Sequence, residues 1–298
     1  MSRLYVVLDV FTGDALAGNP LAVVLDASGL DSGGMQAIAR EFNLSETVFL
    51  LPADDEARKA KLRIFTPARE LPFAGHPTVG TAVLLGLMDA VAGKGREAAF
   101  EIEEAVGVIA CRTRATTKRS GVATFALPRL PEASGPPPDA AAVAAALGLE
   151  PDDIGFDDHV VARFDAGNPF CFVPLKSVAA LGRATPDFAR WTAFAADRGA
   201  FLYTSETGDP ALAFRARMFS ASIREDPATG SAVAAFAGAI MAFDNPGDGE
   251  SAISIGQGFE MGRPSLIELG LNVTDGALIS ATIGGAAVVV AEGTLFVR

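Results

Sequence analysis

The chain has little of what redox and metal chemistry draw on: of 298 residues, two are cysteine and two are histidine. Cys111 and Cys171 form no C-x-x-C and join no cluster with histidine, so they read as small buried apolar side chains. His76 and His159 show neither H-x-H nor H-E-x-x-H spacing, and no metal site is expected. Basic residues are in deficit, with 24 Lys+Arg against 36 Asp+Glu and a formal net charge of -12. A surplus of that sign repels phosphate backbones and anionic lipid surfaces, which argues against nucleic acid and membrane as partners. Long apolar runs are missing too. The run Leu4 to Leu8 stops at Asp9, too short for a signal-peptide core or a membrane span, so the expected compartment is the cytoplasm. What is present is an ordinary globular composition, 50% hydrophobic and 20% charged, with length for one large domain or two compact ones.

Comparison of the sequence with itself gives the strongest organisational signal. His76-Pro77-Thr78-Val79-Gly80-Thr81-Ala82-Val83 and Asp226-Pro227-Ala228-Thr229-Gly230-Ser231-Ala232-Val233 share the pattern x-P-x-x-G-[ST]-A-V. Each copy follows an alternating run, Lys61 to Phe65 or Ala213 to Phe219, and precedes a segment with no polar face. A helix apolar all round must be buried all round, and neither segment is long enough to cross a bilayer. Each is therefore expected to be a core helix inside a curved sheet of its own half, fed by strands at Leu4–Asp9, Ala22–Leu25, Thr47–Leu51, Ala99–Ile102, Val108–Arg112, Val122–Leu127, Phe170–Pro174, Phe201–Thr204, Leu278–Ile283 and Ala287–Val290. Many short strands with two helical insertions indicate an α+β fold. The Pro-rich stretch from Leu127 to Pro138 is the expected connection between halves. The expected division is 1–127, with 284–298 returning to it, and 128–283.

Proline after His76 and after Asp226 fits a helix N-cap followed by Pro at the first helical position. Asp is a common cap, histidine an uncommon one. A helix start also leaves backbone N–H groups unpaired and carries partial positive charge, so it can hold a carboxylate in a protein without a basic patch. Gly75, Gly80 and Gly230 permit close approach of a ligand, or equally tight helix-to-sheet packing, while Thr81 and Ser231 offer hydroxyls at the rim. The segment Gly75 to Thr81 lacks the lysine of a P-loop, and Gly256 to Gly262 does not have dinucleotide-binding spacing. Glu46, just before an apolar strand, reads alone as a solvated acid. Beside His76 and Asp226 in a half-buried cleft it becomes a candidate proton carrier, its pKa raised by an apolar wall.

Several blocks together resemble the PhzF-like family: Asp9-Val10-Phe11-Thr12, Gly18-Asn19-Pro20-Leu21-Ala22-Val23-Val24, Asn43-Leu44-Ser45-Glu46-Thr47, Arg63 to Pro67 running into Glu70 to Thr78, Glu225 to Ala232, and Gln257 to Ser265. They run in family order over nearly the whole chain. The resemblance implies a diaminopimelate-epimerase-like fold of two pseudo-symmetric domains, each a curved, mostly antiparallel sheet around an apolar helix, with the active site in the cleft between them. It implies a cofactor-independent isomerase in which Glu46 moves a proton from one carbon of a small cyclic or unsaturated carboxylic acid to another. His76 and Asp226 would assist, with Ser45, Gly75, Thr81, Gly230 and Ser231 binding substrate and its carboxylate near Ser231. Family members are commonly homodimers, which sets that expectation here. Relatives of this fold that use two thiols carry a cysteine at each helix start; neither copy here has one, which disfavours a two-thiol racemase. Gly256 stands where a larger polar residue is common. A non-catalytic binding protein on the same scaffold, or a non-thiol epimerase, are the alternatives.

Overall fold

Ile109, Cys111, Thr113 and Ala115 are buried while the residues between them are exposed, the period-two pattern of a sheet with one wet and one dry face. The dry face needs an apolar partner, and the helix Gly75–Val91, buried at every position from Gly75 to Leu87, supplies it. The protein is described from a computed structural model covering residues 2–191, 199–221 and 224–297. Its chain divides into two compact units, Met1–Pro128 with Ile283–Arg298, and Arg129–Thr282.

The first unit contains Ser2–Val10 (β1), Asn19–Val24 (β2), Ser32–Phe42 (α1), Glu46–Leu51 (β3), Lys61–Phe65 (β4), Glu70–Leu71 (β5), Gly75–Val91 (α2), Glu97–Glu104 (β6), Gly107–Ala115 (β7) and Ser120–Ala126 (β8). The second contains Glu132–Ala133 (β9), Ala140–Leu147 (α3), Ala162–Asp165 (β10), Pro169–Pro174 (β11), Val178–Arg183 (α4), Gly199–Thr204 (β12), Phe214–Ser220 (β13), Arg224–Asp226 (β14), Gly230–Phe243 (α5), Gly249–Gln257 (β15) and Ser265–Thr274 (β16). The last strand, Ala277–Phe296 (β17), begins in the second unit and ends in the first.

Pairing follows one scheme in both units. An antiparallel hairpin opens each, β1–β2 and β10–β11. A helix, α1 or α4, then carries the chain to a parallel neighbour, β2–β3 and β11–β12. Next come antiparallel pairs β3–β4 and β12–β13, and a short returning strand, β5 or β14. The buried helix leads to a second parallel pairing, β4–β6 and β13–β15, and an antiparallel hairpin, β6–β7 and β15–β16. In the first unit β7 pairs with β8, β8 with β17, and residues 287–296 of β17 with β1. The circle closes without a free edge, which removes the exposed ladder that invites aggregation.

Within the circle α2 touches β1, β2, β3, β6, β7 and β8. A Cβ at Gly80 would meet Leu21 and Val10, and one at Gly86 would meet Thr113, so these glycines let helix and strand backbones approach. Around α5, Phe236 lies 4.6–5.7 Å, centroid to centroid, from Tyr203, Phe214, Phe201 and Phe172. Truncating such a ring to alanine costs about 3–5 kcal/mol.

The fold is α+β and rich in sheet, with departures from expectation. Among the described residues five α-helices are present rather than two. Ala39, Met35 and Ile38 of α1 lie in a cluster with Phe49 and Phe65, while Ala180 and Leu181 of α4 pack with Leu202. These helices cover outer faces, so only a stripe of each is apolar. The two strands expected at 278–283 and 287–290 are one continuous strand, because Gly284 lies against Thr124 and Ala123 without breaking the ladder. No helix among the described residues is long and apolar enough to cross a membrane.

Candidate active site

In the first unit, Asn43 ends α1 in the left-handed region, at φ 51°, and returns the chain so that β3 starts at Glu46. Parallel pairing sets Glu46 beside Leu21. Both Glu46 and His76 are buried, at 8% and 4% exposure, and His76 Nδ1 lies 3.1 Å from Glu46 Oε2. Burial pushes the His76 imidazole down to about 3, with the Pro20 carbonyl acting the other way. The contact is therefore one between a carboxyl and a neutral ring rather than an ion pair. Nε2 of the ring is buried and without a hydrogen-bond partner. Ser45 is half-buried just ahead of Glu46.

Helix α2 starts at Gly75 with Ala74 as its cap residue, so His76 occupies the second helical position and is not the cap. Pro77 is accommodated at the third position because first-turn N–H groups have no intrahelical acceptor to lose. No side chain caps this start. The turn is held from beneath: Thr78 Oγ1 lies 2.8 Å from the Ala74 carbonyl and 2.7 Å from Glu104 Oε1. Glu104 is the last residue of β6, faces inward, and is pushed up to about 8 by burial, with the Thr78 hydrogen bond opposing.

In the second unit, Asp226 ends β14, paired with Met218, so its backbone belongs to the sheet and it too is not a helix cap. The cap residue of α5 is Thr229, and its hydroxyl makes no capping bond. It donates instead to Asp226 Oδ2 at 2.5 Å. Gly230 is buried and Ser231 half-buried in the first turn. One strand away, Arg217 binds Glu225 with both arms, at 2.8 and 3.1 Å, and donates to the carbonyls of Leu181 and Ala184, which anchors β14 from behind.

The structure thus gathers Glu46, Ser45, His76 and Gly75 around one helix start, and Asp226, Gly230 and Ser231 around the other. Thr81 departs from expectation: it is fully buried in the second turn of α2, so its hydroxyl is inside the core and not at a rim. Gly80 serves packing. Both cysteines are free and buried, in β7 and β11, and burial pushes the Cys111 thiol up to about 12, so it supplies no ready thiolate. Glu104 is not among the residues singled out from the sequence, and Gln257 enters there only as the start of a family-like block with no role. Each sits on the inward face of its strand in register with apolar residues, Ile102 for one and Ile255 for the other, and that misplaced polarity was the available signal. Two surface grooves of the first unit, of about 720 and 580 Å³, contain neither Glu46 nor His76. In the larger one Arg58, Lys61 and Arg63 are paired with Glu101, Asp54 and Glu70.

Comparison with known proteins gives the family. A protein of Mesorhizobium japonicum named as an uncharacterized isomerase is 50% identical over 306 residues, spanning 99% of both chains. The trans-2,3-dihydro-3-hydroxyanthranilate isomerase of Pseudomonas aeruginosa is 36% identical over 272 residues, spanning 88% of this chain and 87% of its own. The crystal structure of a Bacillus anthracis phenazine biosynthesis protein of the PhzF family superposes with a TM-score of 0.88 over 100% of both chains, a likeness of fold at 24% identity. The PhzC-PhzF family model, described as phenazine biosynthesis-like protein, matches residues 8–293, and the chain belongs to that family.

Proposed function

We propose that the protein is an isomerase that moves a proton between carbons of a small cyclic or unsaturated carboxylic acid, with Glu46 as the base. The carrying observation is the buried Glu46–His76 contact of 3.1 Å at a helix start that no side chain caps. Glu46 takes a proton from one substrate carbon and returns it to another, so the carboxylate ends as it began. His76, neutral through the physiological range, orients Glu46 through Nδ1–H and offers Nε2 to an amine or hydroxyl of the substrate. Asp226 assists proton movement, and the N–H groups of Gly230 and Ser231 at the first turn of α5 receive a substrate carboxylate. Similarity to trans-2,3-dihydro-3-hydroxyanthranilate isomerases supports this reading and names the first compound to try.

Incubation with trans-2,3-dihydro-3-hydroxyanthranilate and a panel of cyclic unsaturated acids in deuterated water, followed by NMR, tests it. Wild type is expected to place solvent deuterium on one product carbon, and Glu46→Gln to slow turnover by about a thousandfold. Equal exchange by the Glu46→Gln protein would remove Glu46 from the mechanism.

A further inference from the structure

We infer that Gln257 and Thr229 act as one positioning unit that aims the Asp226 carboxylate and keeps the start of α5 open for an anionic group of the substrate. The inference rests on the proposed role of Asp226 and deepens it.

Gln257, the last residue of β15, is fully buried. Its Nε2 lies 2.7 Å from the Asp226 carbonyl and 3.1 Å from Thr229 Oγ1, and its Oε1 lies 3.1 Å from the Thr229 backbone nitrogen. A backbone carbonyl can only accept and a backbone N–H can only donate, so the side-chain amide has one admissible orientation. The rest of the network follows. Gln257 donates to the Thr229 hydroxyl, whose single proton goes to Asp226 Oδ2 at 2.5 Å. Oδ2 is thereby an acceptor.

The same chain of donors explains why α5 lacks a side-chain cap. Threonine at a cap position ordinarily turns its oxygen toward the second or third helical N–H. Here that oxygen is engaged by Gln257 and Asp226, and the Thr229 N–H is taken by Gln257 Oε1, so the N–H groups of Gly230 and Ser231 have no cap from their own side chain turn. Gly258 completes the unit. At φ 78°, a Cβ there would meet the carbonyls of Arg263 and Pro227, so only glycine lets Gln257 come this close beneath the Asp226–Pro227 turn. Gly256 is fixed on the other side, where a Cβ would lie 2.6 Å from Leu212 and 3.0 Å from Phe259, which accounts for the absence of a larger residue.

The test needs no substrate. In protein labelled with carbon-13 at aspartate carboxyls, the Asp226 resonance is identified by its loss in Asp226→Asn and followed against pH in wild type, Thr229→Val, Thr229→Ser and Gln257→Met. Thr229→Val is expected to raise the Asp226 midpoint by about one pH unit through loss of the hydroxyl donor, and Thr229→Ser to restore it. Gln257→Met is expected to move it the same way by less, because the hydroxyl stays but is no longer held. An unchanged midpoint in Thr229→Val, or in Thr229→Ser a shift as large as in Thr229→Val, would overturn the inference. In the deuterium assay Thr229→Val should lower kcat about tenfold with KM within about twofold. Wild-type turnover by Asp226→Asn would defeat the functional reading instead, and the NMR result would stand apart from it.

Discussion

The starts of α2 and α5 are built to one plan with different chemistry. In each, the last residue of the strand after the buried helix reaches back under the turn and holds a threonine hydroxyl: Glu104 holds Thr78, and Gln257 holds Thr229. Glutamine has both donor and acceptor, so the α5 turn is satisfied at every pH. Glu104 has not. The Thr78 hydroxyl has one proton facing two acceptors, the Ala74 carbonyl and Glu104, and the arrangement closes only if the carboxyl supplies the second proton. Burial, which pushes Glu104 up to about 8, keeps that proton in place at neutral pH. The support beneath the α2 turn is therefore sensitive to pH, and the glutamine beneath the α5 turn does not titrate.

Exchanging the two residues should exchange the behaviours. Gln257→Glu is expected to have the largest effect, because an ionised carboxylate would face the Asp226 carbonyl and lie near its side chain with nothing to donate. A loss of about 3–5 kcal/mol in urea unfolding at pH 7, shrinking toward pH 4 as the new carboxyl protonates, is the expected outcome. Glu104→Gln should do the reverse. An acid whose folded value is raised above its ordinary 4.5 loses stability as pH climbs from about 4.5 to about 8, since only the unfolded chain releases the proton freely. At pH 7 that penalty is about 3 kcal/mol, and the amide should recover most of it. His76 acts at the other end: with its value lowered from 6.5 to about 3, stability falls as pH drops through that window. The two slopes cancel between about 4.5 and 6.5, so the wild-type curve should be flat there and fall on either side. A Glu104→Gln protein that still lost stability from pH 6.5 to 8 would break the comparison.

How much of this the sequence discloses depends on whether a feature is local. The repeat at His76 and Asp226 is a matter of spacing and points to both buried helices and to those two residues, whereas Glu46 is singled out by its place ahead of an apolar strand and by the family resemblance. Apolar alternation gave most strands of the first unit. The same alternation runs through Ser265, Ile267, Leu269, Leu271 and Val273, a strand outside those expected from the sequence. Its partner β15 is harder: Gly249-Glu250-Ser251-Ala252 carries little apolar signal, and the strand exists because β16 and β13 pair with it. Cap assignments failed for a related reason. Asp226 is a good cap by propensity, but its backbone is committed to Met218, and tertiary pairing overrides local preference. Glu104 and Gln257 act across 26 and 28 residues, a distance at which no local window connects a polar residue with the turn it supports.

The smallest expected effect separates the two plans most finely. Thr78→Val removes the hydroxyl but keeps the shape, so its stability cost should be about 1 kcal/mol. Its electrostatic effect is larger than its stability effect, because the hydrogen bond from Thr78 is what opposes burial at Glu104. With the hydroxyl gone, nothing favours the ionised carboxyl, and its carbon-13 midpoint should move above 8. Thr229→Val, the corresponding change in the other half, should leave Glu104 at its wild-type midpoint. If both substitutions moved Glu104 equally, the two helix starts would share one proton inventory, and the contrast between a titrating and a neutral support would have to be abandoned.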